Sequence, residues 1–179
     1  MLLLTSTKMS ESPIKKNQTE SIQILEANLD LPTHQQAVLK LVDAYSMDPM
    51  GDGKPLSDEA RKRLLPGLRQ QPTTLILLAY KGDQPVGIAV CFGGFSTFAA
   101  RPLINIHDLA VLPEYRGQGI GRRLLEAVER KARELGCCKL TLEVQEKNRK
   151  AKAVYEAAGF THAVHQEGAG QCLFLSKRL

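Results

Sequence analysis

The chain has 179 residues, 43% of them hydrophobic and 24% charged, with a formal net charge of +5. That length carries one globular domain with a substantial core and excludes two full ones. The basic residues are spread along the chain, Trp is absent, and Phe (5) and Tyr (4) are few, so the basic stripe interleaved with aromatics that marks a nucleic-acid module is missing and no nucleic-acid partner is expected.

In chain order, residues 1–20, rich in Ser, Thr, Lys and Glu, read as a disordered leader ahead of a domain over 21–179. The opening Met1-Leu2-Leu3-Leu4 is too short for the apolar core of a signal peptide, and no apolar run reaches membrane-spanning length, so the expected location is cytoplasmic with no membrane partner. Residues 21–27 read as a first strand. Residues 33–45, with Ala37, Val38, Leu41 and Val42 at helical spacing, read as a helix that the Asp48-Pro49-Met50-Gly51-Asp52-Gly53 stretch breaks. Ser57, followed by Asp58 and Glu59, starts a second helix to about residue 68. Residues 73–80 and 85–92 form a hairpin around Lys81-Gly82-Asp83-Gln84.

A strand over 103–112 then leads into a glycine-rich turn and a helix that Gly136 closes; 139–145 alternates as another strand. Asn148 is placed to cap a helix over 150–158, closed by Gly159, and residues 161–166 and 171–175 read as a last hairpin. The order βααβββαβαββ is a mixed α/β domain, in which the unit from strand 103–112 to strand 139–145 is expected to be a right-handed crossover between parallel strands. Cys91, Cys137, Cys138 and Cys172 show no C-x-x-C spacing, so they read as reduced thiols, and no metal site is predicted.

The turn Arg116-Gly117-Gln118-Gly119-Ile120-Gly121 carries the chemistry. Glycines at alternate positions strip one side of the turn of Cβ atoms, so backbone N–H groups can close around an anion. The helix N-terminus behind it adds unpaired donors and a partial positive charge of about half a unit. Arg116, Arg122 and Arg123 add full charges. The turn lacks the GK[ST] ending of a P-loop and the G-x-G-x-x-G spacing of a dinucleotide fold.

The stretch from His107-Asp108-Leu109-Ala110-Val111 through Arg116-Gly117-Gln118-Gly119-Ile120-Gly121 resembles the acetyl-CoA motif of the GNAT superfamily of N-acetyltransferases, R/Q-x-x-G-x-G/A. Asn148-x-x-Ala151-x-x-x-Tyr155-x-x-x-Gly159-Phe160 is similar to that family's second motif. The resemblance implies an acyl-CoA N-acyltransferase fold: a central, mostly antiparallel sheet with one parallel, splayed strand pair, flanked by helices. It also implies an acetyl group carried directly from acetyl-CoA, the cosubstrate, to a primary amine on a small molecule or a protein.

On that resemblance, Arg116 through Gly121 offer N–H groups to the pyrophosphate, with Arg116 or Arg122 neutralising charge at the rim. The pantetheine arm pairs with the backbone around Leu109, Ala110 and Val111. Asn148 either contacts the cosubstrate or serves only as a helix cap. Tyr155 corresponds to the family's general acid. His107 is the candidate base, since an imidazole with a pKa near 6.5 suits removal of the proton that leaves only about 10⁻³ to 10⁻⁴ of a lysine-like amine nucleophilic at neutral pH. Asp108 is next to it, but strand neighbours face opposite sides, so the two are expected not to share one task, short of a bulge; a water chain is the other route.

The acceptor side is placed in 45–55 and 93–102, with Tyr45, Asp48 and Phe95 from these segments and Asn105 and Asp108 from the motif strand. Asp43, Asp48 and Asp52 would favour a cationic amine, or are solvated turn residues; Phe92, Phe95 and Phe98 could wall the site or, for Phe92, pack in the core. The alternative is a non-catalytic acyl-CoA-binding module, which keeps the cradle but has no use for Tyr155 and His107. Edge strands leave a homodimer open.

Overall fold

The structure, a computed structural model, describes residues 21–162 and 175–177. The expected leader at 1–20 lies outside them, as does nearly all of the last expected hairpin; Thr161, His162 and Leu175, at its margins, are not in strand conformation.

The described elements are β1 (Ile22–Glu26), α1 (Pro32–Ser46), α2 (Asp58–Gln70), β2 (Thr74–Lys81), β3 (Gln84–Ser96), β4 (Arg101–Val111), a 3₁₀ turn (Pro113–Tyr115), α3 (Ile120–Glu134), β5 (Leu140–Leu142) and α4 (Arg149–Ala157). They form one sheet in the order β1-β2-β3-β4-β5, antiparallel except for the parallel β4–β5 pair. The element order agrees with the sequence reading as far as α4. The β2–β3 turn is tight because Gly82 takes φ +57°, the left-handed geometry a two-residue hairpin needs.

Helices on both faces of the sheet explain the unbroken apolar run Leu75-Ile76-Leu77-Leu78-Ala79 in β2, every residue of which is buried. Odd positions of that run join the core under α3, with Ile104, Ile106, Ile120, Leu124 and Val128. Even positions join the core under α1, with Ala37, Val38, Leu41, Ile88 and Val90. Full burial of a Leu or Ile side chain stabilises by about 1.5–3 kcal/mol, so these two layers fix both helices. α3 seats closely because Gly87 lies beneath it; a Cβ there would stand 3.3 Å from Ile120 Cγ2 and from Leu124 Cδ1.

Two departures from the sequence reading position the site. β5 spans three residues rather than 139–145, and its pairing with β4 ends at Ile106↔Leu142. The β3–β4 register shifts at the next residue: Cys91 pairs with Ile106 and Val90 with Asp108, leaving His107 as the extra residue of a bulge.

Candidate active site

The bulge changes which face β4 presents. Ile104 and Ile106 pack under α3; past His107 the odd residues Leu109 and Val111 do so, and Ala110 faces α1. Asp108 lies opposite Val90, whose side chain is in the α1 core, and the His107 ring meets Phe92, of the same core, edge-on at 5.5 Å. His107 and Asp108 therefore stand on one face, the exception that the sequence reading reserved for a bulge.

Burial raises the Asp108 carboxyl above its ordinary range, while the neighbouring His107 charge pulls it back down. The carboxylate is felt by its surroundings. Tyr45, in the last turn of α1, is pushed up by burial and then by the charges of Asp108 and Asp48. Tyr155 on α4 is pushed up to about 12, chiefly by burial and then by Tyr45, and its ring meets Phe160 edge-on at 5.9 Å. Tyr45, Asp108, His107 and Tyr155 thus form one electrostatic group across the place where β4 and β5 part.

Beyond Ile106 the outer edge of β4 has no partner strand among the described residues. Leu112 N–H donates to the Val86 carbonyl on β3, so in the antiparallel alternation Leu109 and Val111 turn their backbone groups to the outer edge. Of these outward groups the Val111 carbonyl already accepts from Arg116 Nε at 2.9 Å. Alongside this edge, a shallow cleft lies between α1 and the end of β4, with Leu41, Tyr45, Ala110, Val111 and Arg116 in its lining.

At the end of that edge, Gly117 and Gly119 both take φ +76°, which L side chains rarely adopt, and a Cβ on either would meet nothing within 4 Å. Gly119 starts α3 without any side-chain cap, unlike Ser57 and Asn148, which accept from Ala60 N and Ala151 N at 3.1 Å. The first turn of α3 holds Arg122 and Arg123 and no acidic residue, the opposite of what the helix dipole favours. An uncapped helix start with open space before it suits a bound anion. Gln118, Ile120 and Gly121 complete the turn; Ile120 is a core residue, and Gln118 Nε2 donates to the Glu114 carbonyl at 3.5 Å.

Other predicted residues are occupied elsewhere. The Arg116 side chain pairs with Asp48 at 2.6 Å, Arg122 with Glu126 at 2.8 Å, and Asp43 with Arg61 at 2.7 Å. Burial pushes Asp48 up, but the Met50 N–H and Arg116 outweigh it and hold its carboxyl below the usual range. Asp48 is thus not a bare carboxylate awaiting an ammonium group. Asn105 clips β4 to β5 through Thr141 Oγ1 at 3.1 Å. Phe95 is 63% exposed and pairs with Pro102, six residues or about 20 Å along β4 from Asp108, and Phe98 is fully exposed, so neither is brought to the site. Phe92 is, beneath His107. Sequence reasoning missed the Arg116–Asp48 pair and Gln145, whose Nε2 donates to the Met50 carbonyl at 3.3 Å; no periodicity or spacing signals contacts 68 and 95 residues apart.

Comparison with known proteins identifies the family and the fold. Residues 39–160 match the Acetyltransferase (GNAT) family. A thialysine N-epsilon-acetyltransferase from Bos taurus is 36% identical over 88 residues, 49% of this chain and 51% of the relative. An aminoglycoside N(6')-acetyltransferase type 1 from Acinetobacter genomosp. 13 is 30% identical over 110 residues, 59% of this chain and 75% of the relative. The chain spans about half the length of the thialysine enzymes it matches. In fold, it superposes on the crystal structure of a probable acetyltransferase with a TM-score of 0.72 at 23% identity, covering 87% of this chain and 99% of the other.

Proposed function

The chain belongs to the GNAT family of acetyltransferases, and on that premise we propose that it carries the acetyl group of acetyl-CoA directly to a primary amine, with both substrates bound together. The observation that carries the reading is the free outer edge of β4, which runs from the His107 bulge to the bare start of α3. Acetyl-CoA supplies the activated acyl group. The turn at 117–121 and the α3 N-terminus hold its pyrophosphate by backbone N–H donors, and the outward groups of Leu109 with the outward N–H of Val111 align its peptide-like arm. Asn148, already the cap of α4, keeps its amide N–H₂ for a contact of the same kind.

His107 removes the proton of the incoming ammonium group. Asp108 beside it attracts that cation and favours the imidazolium that forms. Tyr155 donates the proton to the departing sulfur. With its pKa about 12 against about 8.5 for a thiol, the transfer is uphill by roughly 5 kcal/mol if judged by free groups, so it must run in concert with C–S cleavage. The same shift keeps Tyr155 a phenol, and therefore a donor, at every working pH.

Relatives named for thialysine and aminoglycosides both act on amines, which supports an amine acceptor here. The test follows thiol release from acetyl-CoA with thialysine, lysine peptides, polyamines, arylalkylamines and aminoglycosides, using the native chain and Tyr155→Phe. Release that depends on one amine class and collapses in the variant is the expected result. Binding of coenzyme A without amine-dependent release by any of them would replace the enzyme with an acyl-CoA-binding module.

A further inference from the structure

Arg116 stands immediately before the first glycine of the cradle, where a guanidinium would serve as a rim charge for an anion. Its side chain turns the other way. Nε donates to the Val111 carbonyl at 2.9 Å, and Nη2 donates to Asp48 Oδ2 at 2.6 Å. The Asp48 side chain is only 11% exposed, and its second oxygen accepts the Met50 N–H at 2.8 Å. Both carboxylate oxygens are therefore engaged, one by the cradle's own arginine and one by the loop that follows α1.

That loop is strapped down along its length. Gly51 N–H donates to the Asp48 carbonyl at 2.8 Å, Ser46 Oγ to the Lys54 carbonyl at 2.8 Å, and Leu56 N–H to Asp43 Oδ1 at 3.1 Å. Gly51 lies so close to α1 that a Cβ would stand 2.3 Å from the Tyr45 carbonyl oxygen. Tyr45 in turn lines the cleft beside β4.

We propose that Arg116 and Asp48 form a strut that holds the loop at 47–56, and with it the Tyr45 side of the cleft, against the end of β4. Arg116 is then a positioning residue for the acceptor side, and its charge, neutralised by Asp48, adds little to anion binding at the adjacent turn. The planar guanidinium is essential to this role, because it reaches the Val111 carbonyl and Asp48 at once; a lysine ammonium keeps the charge but not the fork. The naming of the two sides rests on the acetyltransferase reading; the strut itself does not.

The experiment uses Arg116→Lys, Arg116→Gln and Asp48→Asn, each checked for an intact thermal transition. Amide hydrogen exchange of residues 47–56 is followed on the protein alone, and coenzyme A binding is measured by calorimetry. A strut predicts that both Arg116 variants and Asp48→Asn speed exchange at Met50 and Gly51 by about tenfold or more while coenzyme A affinity stays within about threefold. On the amine that supports turnover, the same variants raise the amine KM and leave that of acetyl-CoA. A rim charge predicts the reverse: Arg116→Lys keeps coenzyme A affinity, Arg116→Gln loses it by about tenfold, and Asp48→Asn improves it by freeing the guanidinium. That pattern, or unchanged exchange in Arg116→Gln, overturns the proposal. A native chain that fails to bind coenzyme A refutes the acetyltransferase reading, while the exchange data still decide the strut.

Discussion

Tyr155 and Asp108 show how burial sets the pH behaviour of single groups. Tyr155→Phe keeps the ring against Phe160 and removes only the proton donor, so turnover is expected to fall by about 10²–10⁴-fold with the fold intact. Because the phenol titrates near 12, the native rate should show no loss from Tyr155 ionisation between about pH 8 and 10, as a pH–rate profile can check. Asp108 behaves in the opposite sense to a surface carboxylate. Its folded pKa is raised, so the folded state holds its proton more tightly, and the stability this brings is present below the unfolded pKa and lost as pH rises through the folded value. At neutral pH the buried charge is a cost. Asp108→Asn should therefore raise the melting temperature at pH 7, by about 2–4 °C for each kcal/mol recovered, with the gain vanishing in acid, while activity drops. A melting temperature that falls at pH 7 would mean the carboxylate has a partner that compensates its burial. The sequence placed Asp108 beside His107, but its burial, which raises the carboxyl, was not legible there.

At the scale of elements, the sequence was readable wherever a local rule acts alone. Periodicity marked α1, the glycine turn and Gly136 bracketed α3, Ser57 and Asn148 marked the starts of α2 and α4, and Gly82 marked the first hairpin. It failed where tertiary contacts decide. The Lys139–Val144 alternation is an adequate strand pattern, yet pairing stops after Leu142 because β4 bulges beside it. Nor does any residue type announce the bulge itself. The glycines of the cradle divide by the same logic. Gly119→Val puts a branched side chain at φ +76° and fills the space before α3, so coenzyme A binding is expected to weaken by about tenfold or more at a stability cost of about 1–2 kcal/mol. Gly121→Ala is the control: it is helical, its Cβ would touch only Val111 Cγ2 at 3.9 Å, and titration calorimetry should find binding little changed.

For the whole molecule, the excess of +5 is spread thinly, with many basic side chains already in ion pairs such as Arg61–Asp43, Lys131–Glu26 and Arg133–Glu129. Attraction of a polyanionic cosubstrate is then a long-range, screened effect. The kcat/KM for acetyl-CoA should fall by a few-fold as ionic strength rises from about 0.02 to 0.2 M, where the Debye length shortens to below about 10 Å, and kcat should not. A flat profile would assign binding to the backbone donors alone. The two core layers that sandwich the sheet also give the single extra residue in β4 a meaning beyond the site. A strand is written in a frame of two, and His107 is where that frame slips. Removing it would restore an unbroken alternation, with Asp108 and Ala110 kept toward α1 and Leu109 and Val111 kept toward α3, whereas removing two residues would swap those faces. Indel tolerance along β4 should thus depend on parity, with deletion of His107 alone far less damaging than deletion of His107 and Asp108 together in a folding-reporter screen.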